Sequence, residues 1–571
     1  MWVRQWRGVA AIIGAVLLAS AAAGLYRQQQ SARAPGAAAT APTAQLSLTI
    51  LAINDFHGNL RPPLGGITVA DPKDRERQLA ISAGGAEHMA TLVKQLRAQK
   101  KHSVFVAAGD LIGASPLLSA LFHDEPTIEA LSAMGLEITA VGNHEFDEGK
   151  EELLRMQNGG CHPETGCKGP AKFAGARFRY LSASTIDRST GKTLFPAYQI
   201  KEFDGLPVAF IGLTLKGTPG LIAPSSAAGL EFRDEAETIN ALVPELRRKG
   251  VEAIVVLIHE GGFPTGGYNE CPGISGPIVD IVRKLDKAVD LVISGHTHRA
   301  YNCVIDGRLV TSADKFGTLV TEIELTIDPA TRDVIRAKAN NLIVRTDAYA
   351  KDPEQTTLIA AYDALAKPLA ERKVGTISTS LSREPNAAGE SQLGQVITDA
   401  QLAATSALQD GGAVIAFTNP GGIRTGIERH GDGAVTFADL FAAQPFGNML
   451  VTLTLTGAEI KTLLEQQWLG QVRPRILQVS QGFAYTWDDR RKRGDFVPAA
   501  SISLDGRPLD PAARYRVTVN GFLAQGGDSF SVFKQATDRR DGPNEVAALE
   551  AYFKANTPVR PTPQTRIRRA Y

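Results

Sequence analysis

Short apolar runs alternate with helix-like stretches over residues 46–293 of the chain. Runs that are apolar throughout are typical of strands whose sheet is covered on both faces by other layers. The intervening stretches are longer and carry apolar residues with helical spacing. The pattern therefore predicts a layered α/β domain. Its predicted strands are 46–53, 103–108, 138–141, 207–213, 252–258 and 290–294, and its predicted helices are 85–99, 151–157, 234–248 and 276–285.

The pattern changes near residue 350. A helix-like segment over 353–372 carries no strand signal, and the region beyond it has strands of its own. Within that region, Thr456 and Glu459 have the spacing of a capping box at the start of a helix. Two α/β domains joined by a helix are therefore predicted. The predicted bounds are 46–348 for the first domain, 349–373 for the linker helix and 374–565 for the second domain, with strands 413–418, 449–455 and 514–520.

The first 26 residues have the pattern of an export signal. Arg4 and Arg7 precede an uncharged run over 8–26, in which small residues follow an apolar heart. This order predicts a cleaved signal peptide over 1–26 and a disordered tether over 27–45. The alternative is an uncleaved membrane anchor, because about 19 uncharged residues can just span a bilayer. Both alternatives place the protein outside the cytoplasm, either periplasmic or secreted, or anchored in the membrane and facing outward.

The charge balance narrows the choice of partners. The 571 residues include 61 Lys and Arg against 60 Asp and Glu, which gives a formal net charge of +1. Proteins that coat nucleic-acid polymers or anionic membranes usually carry a strong basic excess, so neither is a predicted partner. A hydrophobic share of 43% and a charged share of 21% exclude a mostly disordered chain. No feature implies a stable protein partner.

Polar residues gather directly after five of the predicted strands, where they include two aspartates, one asparagine and five histidines. A single Asp-x-His pair after a strand is more often a turn with a helix cap than a metal site. The carboxyl ends of strands in an open α/β sheet converge on one crevice, so the joint set instead favours metal binding. The predicted metal ligands are Asp55, His57, Asp110, Asn143, His259, His296 and His298.

Seven donors are more than one tetrahedral zinc needs, so they predict two divalent ions. If Asp110 bridges, each ion receives four protein groups. The mixed nitrogen and oxygen set suits Zn²⁺, Mn²⁺ or Fe and disfavours Ca²⁺ and Mg²⁺, which prefer oxygen alone. Two such ions can hold a hydroxide and clamp a phosphoryl group for in-line attack. His144 remains outside the ligand count, and with Asp147 three residues on it has the arrangement of a general acid.

The motifs NDFHG, GD, GNHEFD, HEGG and GHTH, in this order, resemble the calcineurin-like metallophosphoesterases, and among them most closely the 5'-nucleotidase family. The resemblance covers about residues 46–535. It implies a four-layer α/β/β/α sandwich in the first domain, hydrolysis of phosphoesters, and a catalytic dyad of His144 and Asp147. It also implies two metals that share one ligand. One metal would take Asp55, His57, Asp110 and His298, and the other would take Asp110, Asn143, His259 and His296.

Three patches in 374–565 supply candidate substrate contacts. Two phenylalanines beside glycine-rich turns could sandwich a flat ring, although taken alone such residues are more often core residues. The resemblance favours the sandwich. It implies a nucleoside-binding domain in which Phe446 and Phe522 stack the base, Asp528 contacts the ribose, and Arg424 lies near the substrate. The predicted substrate-binding residues are Asn419, Arg424, Phe446, Asn448, Phe522 and Asp528.

One departure from the family leaves the preferred phosphoester open. Relatives often carry an arginine directly before the stretch that matches residues 390–394, where this chain has Gly389, and Arg383 lies six residues earlier. The leading prediction is a 5'-nucleotidase that releases phosphate from nucleoside monophosphates. The alternatives are a 2',3'-cyclic-nucleotide 2'-phosphodiesterase with 3'-nucleotidase activity, a UDP-sugar hydrolase, and a non-catalytic nucleotide-binding receptor. The complete ligand set argues against the receptor.

Four cysteines in the whole chain permit three pairings. We predict one disulfide between Cys161 and Cys167, which would close a short loop. The second would join Cys271 to Cys303 and fasten the metal-bearing strand to a neighbouring loop. The alternative, a zinc site built from all four cysteines, lacks the usual spacing of paired cysteine ligands. Disulfides also agree with export from the cytoplasm.

Overall fold

The computed structural model of the protein describes residues 45–71 and 74–570. The predicted signal peptide, 1–26, and all but the last residue of the predicted tether, 27–45, lie outside these residues. Within the described part of the chain, no helix is both long enough and apolar enough to cross a membrane.

Two six-stranded sheets form the first half of the fold and pack face to face. Successive side chains of the strand Leu46–Ile53 point to opposite faces of the sheet, and both faces are buried, so its run is apolar throughout. Leu48 and Ile50 join the core between the two sheets, whereas Leu51 and Ile53 join the core on the outer side. In spatial order, the first sheet contains Val334–Ile343, Leu319–Ile327, Leu46–Ile53, Ser103–Ala107, Ile138–Ala140 and Arg179–Leu181, and the second contains Ala300–Ile305, Arg308–Ala313, Leu291–Ser294, Ala253–His259, Leu206–Thr214 and Tyr198–Phe203.

Helices cover the outer face of each sheet and complete a four-layer α/β/β/α sandwich. Met89 and Ile128 bring two helices into the core outside the first sheet. Ile239 and Ile278 bring two more into the core outside the second. The predicted fold class is therefore confirmed for this half. Its helices are Ala86–Ala98, Leu117–Ala120, Glu125–Met134, Lys150–Asn158, Pro224–Ala227, Glu235–Arg248 and Pro277–Lys284.

Parallel pairing aligns the strand ends that carry the predicted ligands. In the first sheet, Ile53 lies opposite Ala107, and Ala107 lies opposite Thr139. In the second sheet, Ile258 lies opposite Ser294. The loops that follow these residues therefore leave their sheets at matching heights, and the two facing sheets bring them together.

The predicted linker helix spans Pro353–Ala370. Asp352 caps its start by accepting hydrogen bonds from the backbone N–H groups of Glu354 and Gln355, at 3.1 and 3.2 Å. The side chain of Gln355 also donates to the carbonyl oxygen of Ala130 at 2.9 Å, so this helix packs against the first half of the fold.

A five-stranded mixed sheet and a four-stranded sheet form the second half. The predicted capping box is present: Glu459 N donates to the Thr456 hydroxyl at 3.2 Å, and Thr456 N donates to the Glu459 carboxylate at 2.7 Å. In spatial order, the larger sheet contains Gln478–Val479, Ile415–Thr418, Arg514–Asn520, Met449–Thr456 and Thr537–Asn544, and the smaller contains Arg507–Pro508, Ser503–Leu504, Phe483–Trp487 and Ile567–Arg569. The helices are Gln392–Thr405, Phe437–Ala443, Gly457–Glu465, Gly521–Ala524 and Glu545–Ala555.

Short strand pairs complete the fold. The hairpin of Ile67–Asp71 and Asp74–Ile81 has no counterpart among the predicted strands, because its second strand, DRERQLAI, is largely polar. The remaining strands form the sheets Leu230–Phe232 with Thr185–Asp187 and Lys192–Thr193, and Lys373–Thr376 with Ala434–Thr436.

Candidate functional site

The loops after the ligand-bearing strands meet at one place and hold an unusual backbone conformation. Residues other than glycine seldom adopt a positive φ, because the Cβ atom then crowds the backbone. Clusters of such residues are typical of functional sites, where the surrounding structure holds them in place. Five predicted ligands have a positive φ, namely Asp55 (50°), His57 (46°), Asp110 (50°), His296 (69°) and His298 (52°).

Asp55, His57 and His298 form one group of donor atoms. The Nε2 atoms of the two histidines lie 3.1 Å apart. Oδ1 of Asp55 lies 3.2 Å from Nε2 of His298 and 3.9 Å from Nε2 of His57. Three atoms that can each offer an electron pair are therefore directed at the same small volume.

Asp110, His259 and His296 form a second group, whose donor atoms all lie within 4.8 Å of one another. Oδ2 of Asp110 lies 2.9 Å from Nε2 of His259 and 3.7 Å from Nε2 of His57. One carboxylate oxygen thus faces both groups. The structure therefore brings the predicted ligands together and places Asp110 between the two groups.

These donor atoms are better arranged to bind a cation than to form hydrogen bonds with one another. Nδ1 of His57 donates to the carbonyl oxygen of Gly113 at 2.8 Å, and burial lowers the pKa of this ring well below its ordinary value, so Nε2 keeps a free electron pair. Nδ1 of His259 likewise donates to the carbonyl oxygen of Ala108 at 2.8 Å. Among the described residues, Oδ1 of Asn143 is buried without a hydrogen-bond partner. Imidazole nitrogen and side-chain oxygen together are a donor set for divalent transition metals.

His144 and Asp147 form the predicted dyad. Nδ1 of His144 lies 2.8 Å from Oδ2 of Asp147, and the backbone N–H of His144 donates to Oδ1 of Asp110 at 2.9 Å. Burial lowers the pKa of His144, but the carboxylates of Asp147 and Asp110 outweigh burial and raise it above its ordinary value. The ring is therefore poised to carry a proton. His144 also lies close enough to His57 and Asp110 to form a third group of donor atoms.

Glu145 is a supporting residue that the sequence prediction missed. Its buried carboxylate accepts hydrogen bonds from the backbone N–H groups of Asp110 at 2.9 Å, Leu111 at 2.7 Å and Gly142 at 2.6 Å. It therefore ties the loop of Asp110 to the loop that carries Asn143. Its place inside the GNHEFD motif was the available signal, but the motif alone does not separate a donor from a support.

A cavity of about 630 Å³ lies against this centre and is lined by both halves of the fold. Its volume is in the usual range for small-molecule sites. Asp55, His57 and His259 are fully buried and do not line it. Among the predicted site residues, the first half contributes Asp110, Asn143, His144, Asp147, His296 and His298 to the lining, and the second half contributes all six predicted substrate residues, Asn419, Arg424, Phe446, Asn448, Phe522 and Asp528.

The two phenylalanines differ from ordinary core residues because both are half-buried. The ring of Phe446 lies 5.9 Å from that of His144 with an interplanar angle of 22°, and Cζ of Arg424 lies 5.7 Å from its centre. Phe522 packs against the core of the second half and also lines the cavity. Each ring therefore offers apolar surface to a ligand in the cavity.

Asp528 is held in place before any ligand arrives. Nδ2 of Asn419 donates to its Oδ2 at 2.8 Å, and Arg475 forms an ion pair with its Oδ1. Nδ2 of Asn520 in turn donates to Oδ1 of Asn419 at 3.1 Å. Asp528 also has a positive φ of 53°. Arg475 was not predicted, because no motif or spacing connects it with Asp528 in the sequence.

Glu545 holds the loop that carries Phe446. Nδ2 of Asn448 donates to Oε1 of Glu545 at 2.9 Å, and Nε2 of Gln444 donates to Oε2 at 3.4 Å. The backbone N–H of Glu545 donates to the carbonyl oxygen of Asn448 at 2.9 Å. Burial raises the pKa of Glu545 to about 7. This carboxyl was also missed, since it lies 97 residues from Asn448.

Basic side chains line the cavity beside the metal-type groups. Nη2 of Arg424 is buried and has no hydrogen-bond partner within the described ranges. Arg383 donates to the carbonyl oxygen of Arg424 and itself lines the cavity. Gly389 packs instead against Ile476, where an added Cβ would lie 2.6 Å from a side-chain carbon. Arg383 therefore contributes a guanidinium group to the cavity lining, whereas Gly389 has no side chain that could do so. The other basic residues of the lining are Arg299, Lys315 and Arg475.

Both predicted disulfides are present. Cys161 is bonded to Cys167 and Cys271 to Cys303, with Cα atoms 4.6 and 5.2 Å apart. The alternative of a zinc site built from the four cysteines is therefore wrong.

Comparisons with known proteins agree with this geometry. Residues 48–300 match the calcineurin-like phosphoesterases, and residues 373–535 match the 5'-nucleotidase C-terminal domain. The fold and the grouped Asp, Asn and His residues thus define a calcineurin-like metallophosphoesterase. Within that class, the chain belongs to the 5'-nucleotidase family, whose members are metal-dependent phosphoester hydrolases.

A solved structure and two curated relatives show how far the likeness extends. The crystal structure of a 5'-nucleotidase precursor from Thermus thermophilus is 28% identical, with a TM-score of 0.76 over 92% of this chain and 99% of that chain. Endonuclease YhcR of Bacillus subtilis is 32% identical over 93% of this chain but 42% of its own length. A cell wall protein of Listeria monocytogenes is 32% identical over 88% of this chain and 66% of its own length. The chain therefore spans less than two thirds of these two relatives.

Proposed function

We propose that the protein is a 5'-nucleotidase, which converts a nucleoside 5'-monophosphate and water into a nucleoside and phosphate. One observation carries this proposal: members of both groups of donor atoms, namely Asp110, His296 and His298, and a pair of half-buried phenylalanines line the same cavity. A phosphatase for small esters has no need of the second feature. A nucleoside-binding protein without activity has no need of the first.

The two halves of the fold would bind the two halves of the substrate. The phosphate would lie beside Asp110 and Asn143, where the unpartnered Nη2 of Arg424 is available to it. The base would stack between Phe446 and Phe522, because aromatic rings bind flat bases on their faces. The ribose would meet the carboxylate of Asp528, and Asn448 would lie close by in the same lining.

Two divalent cations, held through Asp55, His57, Asp110, Asn143, His259, His296 and His298, would supply Lewis-acid activation of water and neutralise the phosphoryl oxygens. The donor set suits Zn²⁺, Mn²⁺ or Fe. Water oxygen attacks phosphorus in line, and the bond from phosphorus to the 5' oxygen breaks. His144, oriented by Asp147, donates its proton to the departing oxygen, so the nucleoside leaves with a neutral hydroxyl. One proton of the attacking water stays on the released phosphate, and the other goes to solvent, from which His144 takes up a proton again.

We further propose that the protein acts outside the cytoplasm, in the periplasm or as a secreted protein. The export pattern of the N-terminal sequence and two disulfides support this location.

The decisive experiment is a panel of four nucleotides. AMP, 3'-AMP, 2',3'-cyclic AMP and UDP-glucose are incubated with the protein, with and without a chelator, and all products are separated and quantified. We expect adenosine and phosphate from AMP at the highest rate, and none after chelation. A highest rate with 2',3'-cyclic AMP or UDP-glucose would replace the proposed substrate, and no chelator-sensitive product from any of the four would refute the proposed chemistry.

A further inference from the structure

A short loop after the strand Arg308–Ala313 has a strained backbone and is hydrogen-bonded to the loop that carries the predicted metal ligands Asp55 and His57. Asp314 and Phe316 both have a positive φ, of 61° and 58°. Nδ2 of Asn54 donates to the carbonyl oxygen of Asp314 at 2.8 Å, and Phe316 N donates to the carbonyl oxygen of Asp55 at 2.7 Å. Strain of this kind persists where neighbouring structure enforces it and is typical of functional loops. Lys315 lies between the two strained residues.

The loop places the ammonium of Lys315 beside the first donor group. Its Nζ atom lies 5.5 Å from the centre of the Phe316 ring, and that ring meets the rings of His57 and His298 edge-on, at 5.9 and 5.7 Å. Lys315 also lines the cavity together with Arg424. The positive charge of Lys315 therefore lies in the cavity lining, beside the donor group of Asp55, His57 and His298.

Lys315 is half-buried and lacks an anionic partner. Across 45–71 and 74–570, its ammonium makes no hydrogen bond or ion pair with the protein. Burial lowers the pKa of Lys315; the carboxylate of Asp314 opposes this, whereas Arg383, Arg299 and Arg424 add repulsion. A partly desolvated cation among other cations is unfavourable unless an anion joins them. An anion bound in the cavity would therefore be a favourable partner for Lys315.

We propose that Lys315 binds a non-bridging oxygen of the phosphoryl group that is transferred, on the side of Asp55, His57 and His298. An ammonium is a compact charge with three rotatable donors, which suits one phosphoryl oxygen. Negative charge on the equatorial oxygens must be stabilised during phosphoryl transfer, and a preorganised cation does this effectively. This role rests on the proposed phosphoester hydrolysis, but it does not depend on which alcohol the phosphate esterifies.

The test compares Lys315→Gln and Lys315→Arg with Lys172→Gln, a control at an exposed lysine outside the cavity lining. Hydrolysis of AMP and of p-nitrophenyl phosphate is measured, together with inhibition by inorganic phosphate and metal content. Because both substrates present the same phosphoryl group, Lys315→Gln should lower kcat/KM for both by about 10- to 100-fold, as expected for a lost charge-assisted hydrogen bond. It should also weaken inhibition by phosphate about tenfold. Metal content should not change.

Lys315→Arg should recover part of the loss, since it restores the charge with a different geometry. The control should match wild type in every measurement. Unchanged inhibition by phosphate in Lys315→Gln would overturn the assignment. A loss confined to AMP would do the same, because it would place Lys315 at the nucleoside. Loss of metal in parallel with activity would make its role structural.

A failure of the proposed nucleotidase activity can be distinguished from a failure of the proposed role of Lys315. If the wild-type protein hydrolyses p-nitrophenyl phosphate but no nucleotide, the nucleotide specificity is wrong, and Lys315 is still tested with the small ester and with phosphate. If it hydrolyses neither, calorimetric titration of inorganic phosphate into wild type and Lys315→Gln decides the point. Equal affinity of the two proteins would then refute the role of Lys315.

Discussion

The two sides of the cavity are built differently. On the side of the first half, Asp55, His57 and Asp110 are almost completely buried, with exposed fractions of 0, 0 and 1%, and their backbone φ values are positive. On the other side, Phe446 and Phe522 are half-buried, Phe446 in a turn and Phe522 in the short helix Gly521–Ala524. The first arrangement fixes atoms for chemistry, because small displacements there change distances to a reacting group. The second offers surface to a ligand, which tolerates variation. We infer that the first side carries out the chemistry and the second recognises the substrate. Substitutions on either side can test this division.

The largest effect is expected from Asp110→Ala. This change should abolish phosphate release and lower metal content, since a carboxylate that faces both donor groups offsets repulsion between two cations. Metal content is measured by elemental analysis of protein reloaded with Zn²⁺ or Mn²⁺, and activity by phosphate release from AMP. Asp280→Ala, which removes an exposed carboxylate from a surface helix, should behave as wild type. Two full equivalents of metal in Asp110→Ala would show that this residue is not shared.

His144→Ala should separate proton donation from metal binding within the same region. We expect kcat for AMP to fall about 100-fold or more, as for a lost general acid, while metal content stays near that of wild type. Single-turnover rates and elemental analysis provide the two measurements, and His430→Ala at an exposed histidine is the control. Because His144 also lies near His57 and Asp110, an equal loss of metal would identify it as a ligand instead.

Removing both rings, in Phe446→Ala with Phe522→Ala, should affect recognition and spare chemistry. Stacking of a base on an aromatic ring contributes about 1–3 kcal/mol, so kcat/KM for AMP should fall by a factor of about ten to several hundred. Hydrolysis of p-nitrophenyl phosphate should fall much less, because that ester has no nucleoside to bind. A parallel decline of both substrates would mean that the two rings are structural and that the contrast between the two sides is wrong.

The smallest effect is expected from Glu545, which acts only through the loop of Phe446. Glu545→Leu removes the acceptor for Asn448 and should raise KM for AMP a few-fold with little change in kcat. Glu545→Gln keeps an acceptor oxygen and should stay closer to wild type. An unchanged KM in both variants would show that Asn448 holds the loop without help.

The raised pKa of Glu545 also predicts that the stability of the fold depends on pH. Its folded pKa of about 7 lies above the value of 4.5 for the free side chain, so the folded state binds this proton more tightly. The resulting stabilisation is fully present below pH 4.5 and is lost as the pH rises through 7. The Tm of wild type should therefore fall relative to that of Glu545→Gln between pH 5 and 8. A constant difference across that range would contradict the shifted pKa.

Sequence patterns predicted the regular parts of the fold well, because buried strands leave continuous apolar runs. The strand predicted over 514–520 spans Arg514–Asn520, and His259, predicted just after a strand, is its last residue. The polar strand Asp74–Ile81 gave no such signal. In the site, local motifs identified the residues that the fold gathers. Arg475 and Glu545 stayed hidden, since an isolated charge acquires its partner only when distant segments meet.

The positive φ angles of the five predicted ligands have a thermodynamic consequence. Glycine adopts such angles freely, whereas aspartate and histidine carry a Cβ atom that crowds the backbone there. A variant such as Asp110→Gly would relieve the strain at that position, but it would also remove the carboxylate that lies 2.9 Å from Nε2 of His259 and accepts a hydrogen bond from the backbone N–H of His144. Neighbouring loops therefore hold the strained conformation through side-chain contacts, and a substitution that relieves the strain also loses the contacts that oppose it.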